Sequence, residues 1–298
     1  MAQYADGSAY RYLVAVTDIE PGDDRGGAAP RALIVTVYGL YARDNGWLPI
    51  AQLVRLLAHL GVDEPAVRSA ISRLKRRGLL HAERRGGVAG YALSDDARKI
   101  LEEGDARIFA PTTPSLADGW LLAIFSVPES ERAKRHTLRS ALAALGFGAA
   151  APGVWVAPAH RFELTAATLE RLHLATYVDL FRADYLAFGD IHKLAGQWWD
   201  LGRLRDEYLA FIAAYRPIVG AARAPEAAFA DWVRALTAWR RLPYHDPGLP
   251  VELLPPDWPG FAARELFAAL QAQLVAPARV FVASLLDANS AAAGRSAG

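Results

Sequence analysis

Cysteine is missing from all 298 residues. Without thiols there are no disulfides, no thiolate catalysis, no iron-sulfur ligation and no cysteine-based zinc site, which fits a reducing cytoplasm. The seven histidines are scattered, and none pairs with another at metal-binding helical spacing beside a glutamate, so no metal is expected. No cofactor is expected either. Long apolar runs are also lacking. The longest uncharged window, residues 140–159, is broken by Gly146, Gly148, Pro152, Gly153 and Pro158, so no membrane helix is expected. The stretch from Met1 to Val16 carries Asp6 and has no apolar run behind a basic cluster; no signal peptide and no export are expected. Neither sign of charge dominates. With 33 basic and 32 acidic residues the net charge is +1, so affinity for a polyanion has to come from local clustering.

What is present is a foldable composition, 53% hydrophobic and 22% charged, in a length suited to two or three domains. A Gly, Asp and Ala-rich stretch ending at Pro30 and a small-residue tail from Ala288 read as mobile ends. The Pro/Thr cluster from Pro111 to Ser115 separates a helical pattern from strand-like residues and marks a boundary. A weaker one falls at 189–196, where the spacing turns helical. The expected organisation is an extension at 1–29, domains at 30–110, 111–189 and 190–288, and a disordered tail at 289–298.

In the first of these, Leu33, Ile34, Val37, Tyr38 and Tyr41 recur at helical spacing until Asn45-Gly46. A second helix takes Pro49 into its first turn, buries Leu53, Val54, Leu57 and Leu60, and stops at Gly61. Asp63 is a good N-cap, with Glu64 and Pro65 suited to the first turn, so a third helix starts three residues later. This is helix-turn-helix spacing. At about 100° per residue, Val67, Ala70, Ile71 and Leu74 share one arc of the third helix, and Arg68, Ser69, Ser72, Arg73 and Arg76 the other. Leu79 to Arg84 and Tyr91 to Leu93 pair as a wing across a glycine-rich loop, and Ser94 caps a fourth helix. Between Asp63 and Arg85 seven basic residues face three acids. A basic helix of this kind suits the major groove, with Arg68, Ser69, Ser72 and Arg73 facing it, Arg76 beside them as a further DNA-binding residue, and Arg84 and Arg85 on phosphate or the minor groove. A solvated basic face on a structural domain, or a scaffold surface for protein partners, gives the same charge pattern.

These residues also carry a resemblance. The segments are Pro30-Arg31-Ala32-Leu33-Ile34, Val67 to Leu74, Gly90-Tyr91-Ala92-Leu93-Ser94 and Arg107-Ile108-Phe109. The pattern continues through Trp120-Leu121-Leu122, Leu145-Gly146-Phe147-Gly148, Pro152 to Val156 and Trp199-Asp200-Leu201, and closes with Asp246 to Pro255 and Trp258-Pro259-Gly260. In these the chain resembles the PaaX family of phenylacetate-pathway repressors from about Pro30 to about Leu286, the proline-rich motif being the most specific part. The resemblance implies a cytoplasmic homodimer that binds a palindromic operator in double-stranded DNA and releases it on binding an aryl-CoA effector such as phenylacetyl-CoA. Two departures are the extension before Pro30 and the wing tip from Arg85 to Gly90, so no operator sequence carries over.

Downstream, strand-like Trp120 to Val127, helical Arg132 to Leu145, strand-like Gly153 to Pro158, helical Thr165 to Leu174 and strand-like Tyr177 to Phe188 fit a ferredoxin-like (βαββαβ) unit. In the family this part resembles the small dimeric nucleases of CRISPR adaptation. A metal-dependent nuclease would want a carboxylate at the end of the first strand, but here that strand ends Ser126-Val127-Pro128, which favours a dimerisation platform. The overall fold class is therefore α+β and multidomain: an N-terminal winged helix-turn-helix, a central ferredoxin-like domain and a mainly helical C-terminal domain. Five of the eight tryptophans, Trp198, Trp199, Trp232, Trp239 and Trp258, lie in the last third. Most suit a core, although Arg240 and Arg241 beside Tyr244 and His245, with Trp198 and Trp199, supply the apolar slot and cations an aryl-CoA would need. The six prolines from Pro243 to Pro259 predict a stiff, ordered crossing.

Several motif matches carry less. Gly146-Phe147-Gly148-Ala149-Ala150-Ala151 imitates a dinucleotide fingerprint but follows a helix, and reads as a helix stop. Residues 294–298 imitate a nucleophile elbow with no helix to follow. His245-Asp246 reads as a turn rather than a catalytic pair. No enzyme is expected. The competing class is a metal-dependent nuclease, or an acyl-CoA-acting enzyme, using the central or C-terminal part.

Overall fold

The computed structural model describes residues 29–43, 45–110, 114–186 and 188–293. The readings for the extension at 1–28, for most of the Pro111 to Ser115 boundary and for 294–298 fall outside these residues. Packing divides the chain into two compact units. One gathers residues 29–104, Ala210–Arg240 and 261–293; the other gathers Asp105–Leu209 and Arg241–Gly260. Residues expected in a single C-terminal domain are thus shared between the two.

The first unit is built on α1 (Pro30–Tyr41), which starts with proline in its first turn and buries seven consecutive residues, Ala32 to Tyr38. A helix apolar on every side is covered on every side. One cover comes from far along the chain, α9 (Pro225–Trp239), where the Thr237 hydroxyl lies 2.8 Å from that of Thr36. The long α11 (Pro259–Ala293) adds Phe267, stacked on Trp239 at 4.7 Å and on Trp232 at 5.6 Å. Over Pro259–Leu286 this helix is long and apolar enough to cross a membrane by length and composition. Its buried residues, Ala263, Leu266, Phe267, Leu270, Leu274, Ala278 and Val282, recur every three or four positions, the stripe of a helix packed on a protein core. Helical backbone continues to Ala293, where the expectation was an irregular tail from 289; alanine is the best helix former, and three alanines end the element.

Also in this unit are β1 (Trp47–Pro49), α2 (Ile50–Ala58), α3 (Glu64–Arg76), β2 (Leu80–Arg85) and β3 (Val88–Leu93). The strands form an antiparallel sheet in the order β1-β3-β2. The sequence reading has no β1 and places Pro49 inside α2. Instead Pro49 pairs with Gly90 and precedes the helix with extended backbone at ψ 140. Gly90 is required by this approach, since a Cβ there would lie 2.4 Å from the Leu48 carbonyl oxygen. Next comes α4 (Asp95–Phe109), capped by the Ser94 hydroxyl, which accepts from the Ala97 amide at 3.2 Å.

In the second unit β4 (Trp120–Phe125), α5 (Arg132–Ala144), β5 (Gly148–Ala151), β6 (Val154–Pro158), α6 (Phe162–Arg171) and β7 (Val178–Ala183) follow in that order. Their sheet is antiparallel throughout, ordered β5-β6-β4-β7. Leu121, Ala123, Trp155 and Ala157 on one face meet Leu138, Leu142 and Leu169 of the two helices. On the other face Trp120 and Val156 meet Ala195 of α7 (Ile191–Trp198), Trp199, Leu249 and Leu253. After α8 (Leu201–Tyr215), residues 241–260 of this unit hold a short α10 (Leu242–His245) and an ordered turn. There the Asp246 carboxylate accepts from Tyr208 Oη at 2.6 Å and from the Gly248 amide at 2.7 Å, a turn role for Asp246.

Candidate nucleic-acid interface

The connection from α2 to α3 is short because both ends are locally determined. The Asp63 side chain caps α3 by accepting from the Ala66 amide at 2.8 Å, and Glu64 faces the positive end of the helix. Val67, Ala70, Ile71 and Leu74 are buried, while Arg68, Ser69, Ser72, Arg73, Lys75 and Arg76 are exposed. The arcs read from the sequence are the arcs of the structure. Within the exposed face the cations differ in commitment. Arg68 is paired with Glu64, Nε to Oε1 at 2.7 Å. Arg73 lies 3.4 Å from Ser69 Oγ, Lys75 sits over the Tyr91 ring at 5.7 Å, and Arg76 has no side-chain partner among the described residues.

The β2-β3 hairpin is tighter than expected. Arg85 pairs with Val88, so only Gly86 and Gly87 turn, both at positive φ (54° and 79°), which fits the two-residue turns that suit twisted strands. Arg84 is exposed near the tip and donates to the Gly87 carbonyl at 3.3 Å. Arg85 is half-buried and already occupied. Its Nε donates to Glu83 at 2.6 Å, Nη1 to the Asn45 carbonyl at 3.2 Å, and the guanidinium covers the Trp47 ring at 5.4 Å. The hydrogen bond from Arg85 holds the Glu83 carboxyl below its usual range. Of the two hairpin arginines, Arg84 is the one free to reach a polyanion.

The six residues read as a possible effector slot are divided between the two units. Arg240 belongs to the first unit, buried, with Nη2 3.4 Å from the Ala32 carbonyl oxygen. The other five belong to the second unit. There Trp199 is buried and donates Nε1 to the Gly146 carbonyl at 2.9 Å, with Trp198 edge-on to it at 5.8 Å. Tyr244 is buried under the Arg107 guanidinium at 4.6 Å, His245 is 2.6 Å from Glu207, and Arg241 is half-buried.

Sequence reasoning missed the internal cations of the second unit. Arg107 donates to three carbonyls, Pro243 at 2.7 Å, Ala144 at 3.3 Å and Tyr244 at 3.3 Å, and Arg161 donates to those of Asp246 and Pro247. Burial, then the Arg161 charge, pulls the Arg107 pKa down to about 9, which leaves it a cation at neutral pH. Next to them, burial and then the charges of Arg161 and Arg107 lower the His160 pKa from 6.5 to about 4. The unfolded chain therefore takes up this proton first as pH falls, and stability present above about pH 6.5 drains away towards pH 4. After discounting for partial exposure, the expected loss is about 2 kcal/mol between pH 7 and 4. Thermal melts of wild type and His160→Gln across this range check it; parallel curves would remove His160 as the cause.

These features define a class: a two-unit mixed α/β protein presenting a solvent-exposed cationic helix face. Three family models match it: the PaaX-like protein over 29–97, the PaaX protein central Cas2-like domain over 113–195, and the PaaX-like protein C-terminal domain over 199–284. The transcriptional repressor PaaX of Escherichia coli strain K12 is 30% identical over 260 residues, covering 83% of this chain and 80% of that relative. A solved structure, an uncharacterized protein from Mycobacterium tuberculosis, is similar at a TM-score of 0.55 and 25% identity, over 89% of this chain and all of the other. The chain belongs to the PaaX family, a family of transcription regulators and not of enzymes.

Proposed function

We propose that this protein is a cytoplasmic, homodimeric transcriptional repressor that binds a palindromic DNA operator and leaves it on binding an aryl-CoA thioester such as phenylacetyl-CoA. One observation carries the DNA part: the Arg68, Ser69, Ser72, Arg73 and Arg76 face of α3 stands in solvent on a helix anchored by Val67, Ile71 and Leu74. In this reading residues 30–110 act as a winged helix-turn-helix with α3 in the major groove and the β2-β3 hairpin as wing. The order β5-β6-β4-β7 supports a ferredoxin-like central domain at 111–189 as the dimerisation platform. A helical C-terminal domain at 190–288 completes the expected organisation. The two-fold axis of a dimer would match a two-fold operator. The relative named as a repressor supports this function. The enzyme alternatives, nuclease or acyl-CoA-acting, are not favoured, because β4 leads into Ser126-Val127-Pro128 without a carboxylate.

The test separates roles along the face. Arg68→Ala is expected to cost about 1–3 kcal/mol at one base pair and to relax specificity there. Arg84→Ala is expected to weaken all duplexes alike and to lower the salt slope by about one. Titrations against cognate and scrambled duplexes at several salt concentrations give both quantities. Equal, sequence-independent losses from the two variants would overturn the role assignment, and no salt-sensitive shift with any duplex would overturn DNA binding itself.

A further inference from the structure

The second unit contains a cavity of about 530 Å³ at the end of β4, within the roughly 300–1,000 Å³ typical of small-ligand sites. Its walls are Phe125 at the strand's end, Ser126 and Val127 after it, Ala149, Ala151, Pro152 and Gly153 of the β5-β6 hairpin, Trp155 of β6, and Arg135 and Arg139 of α5. This is the place where a metal-dependent nuclease of this topology would need a carboxylate. The lining here has two guanidiniums and no carboxylate, so its electrostatics suit an anion and repel a cation.

The two arginines are held differently. Arg135 is fixed in place, donating from Nη2 to the Val127 carbonyl at 2.7 Å and pairing through Nη1 with the exposed Glu129 at 3.1 Å. Arg139, one helical turn on, is exposed and has no side-chain partner among the described residues. By helical spacing Arg132 lies on the same side of α5, so the cationic rim extends beyond the cavity. The remaining walls, Phe125, Val127, Pro152 and Trp155, are apolar, and Trp155 is the largest of them. An apolar floor with a fixed guanidinium and an uncommitted one at its edge describes a ligand with two parts.

We propose that this cavity binds an organic anion with an aromatic or similar apolar body, the body against Phe125, Val127, Pro152 and Trp155 and the anionic group between Arg135 and Arg139. The inference deepens the effector reading above and rests on it in one respect only, that the ligand controls DNA release. Two sources share this chemistry, a free aryl carboxylate and its CoA thioester. The extended rim of α5 favours the thioester, whose phosphates reach past the cavity mouth.

Calorimetric titration of the full chain with phenylacetate, phenylacetyl-CoA and CoA alone tests the site without DNA. Phenylacetyl-CoA is expected to bind wild type and to bind Arg139→Glu about tenfold or more weakly, because an exposed charge-assisted contact becomes a repulsion. Glu129→Gln frees Arg135 from its competitor and is expected to tighten binding about two- to threefold. Arg241→Ala, at one of the residues read from the sequence as an effector slot, should leave affinity unchanged. Equal binding by wild type and Arg139→Glu, with a loss in Arg241→Ala, overturns the cavity and keeps the effector reading at the residues read from the sequence. The expected pattern without any release of operator DNA in a mobility shift keeps the cavity and overturns the effector reading. Phenylacetate binding as tightly as the thioester assigns the site to the free acid, and failure of all three compounds to bind overturns the proposal.

Discussion

Double charge reversal on α3, Arg73→Glu with Arg76→Glu, is expected to lower affinity for any duplex by about a thousandfold while leaving the melting temperature within about a degree or two. Both side chains stand in solvent on a helix whose opposite face is buried, so nothing in the core depends on them. Arg76 has no side-chain partner among the described residues, and the Arg73 contact with Ser69 is long at 3.4 Å. Each reversal removes a released counterion and adds a repulsion against phosphate, and the slope of log affinity against log salt is expected to fall by about two or more. Fluorescence anisotropy with a labelled operator fragment at several salt concentrations measures both quantities. Binding that survives the reversal, in a protein that melts normally, would move the DNA surface to another part of the molecule.

Arg107→Ala is expected to produce the largest loss of stability, about 3–5 kcal/mol, because it removes a buried cation that three main-chain carbonyls share. The carbonyls of Pro243, Ala144 and Tyr244 lose a donor in a place water does not readily reach, and the Tyr244 ring loses the guanidinium 4.6 Å above it. Those contacts organise the entry to the proline-rich turn, where Arg161 binds the Asp246 and Pro247 carbonyls. A fall of about 10 °C in melting temperature follows from an effect of this size. Arg107→Lys keeps the charge without the planar fork and is expected to recover only part of the loss. A melting temperature unchanged in Arg107→Ala would show that the carbonyls find other donors.

Much of the first unit was legible in the sequence because its signals are local. Asp63, Glu64 and Pro65 define a helix start within three residues, and the apolar arc of Val67, Ala70, Ile71 and Leu74 needs only the helical period. The omissions have physical causes. The three-residue β1 is too short to show a period, and its existence depends on Gly90 permitting close approach from another strand. Read as a helix stop, Gly146 to Ala151 hides β5, since a run of alanines has no β-branched residue to mark a strand. The burial of α1 on every side follows from Thr237 and its helix some two hundred residues away, and no local pattern records such a partner. The candidate site was legible in kind, as basic side chains on one arc, but not in commitment. That Arg85 is tied to Glu83, Asn45 and Trp47 while Arg84 is open follows from the sheet register, which sequence spacing leaves undetermined.

If α3 reads DNA as proposed, the pair between Glu64 and Arg68 gives it an internal rival for Arg68. On arbitrary DNA, a carboxylate that keeps its guanidinium forfeits a base contact, and one that surrenders it is left alone beside phosphates. Only a base offering two well-placed acceptors compensates for that exchange. In that reading a four-residue spacing on one helix would act as a threshold, making the protein indifferent to near matches through what it withholds as well as through what it touches.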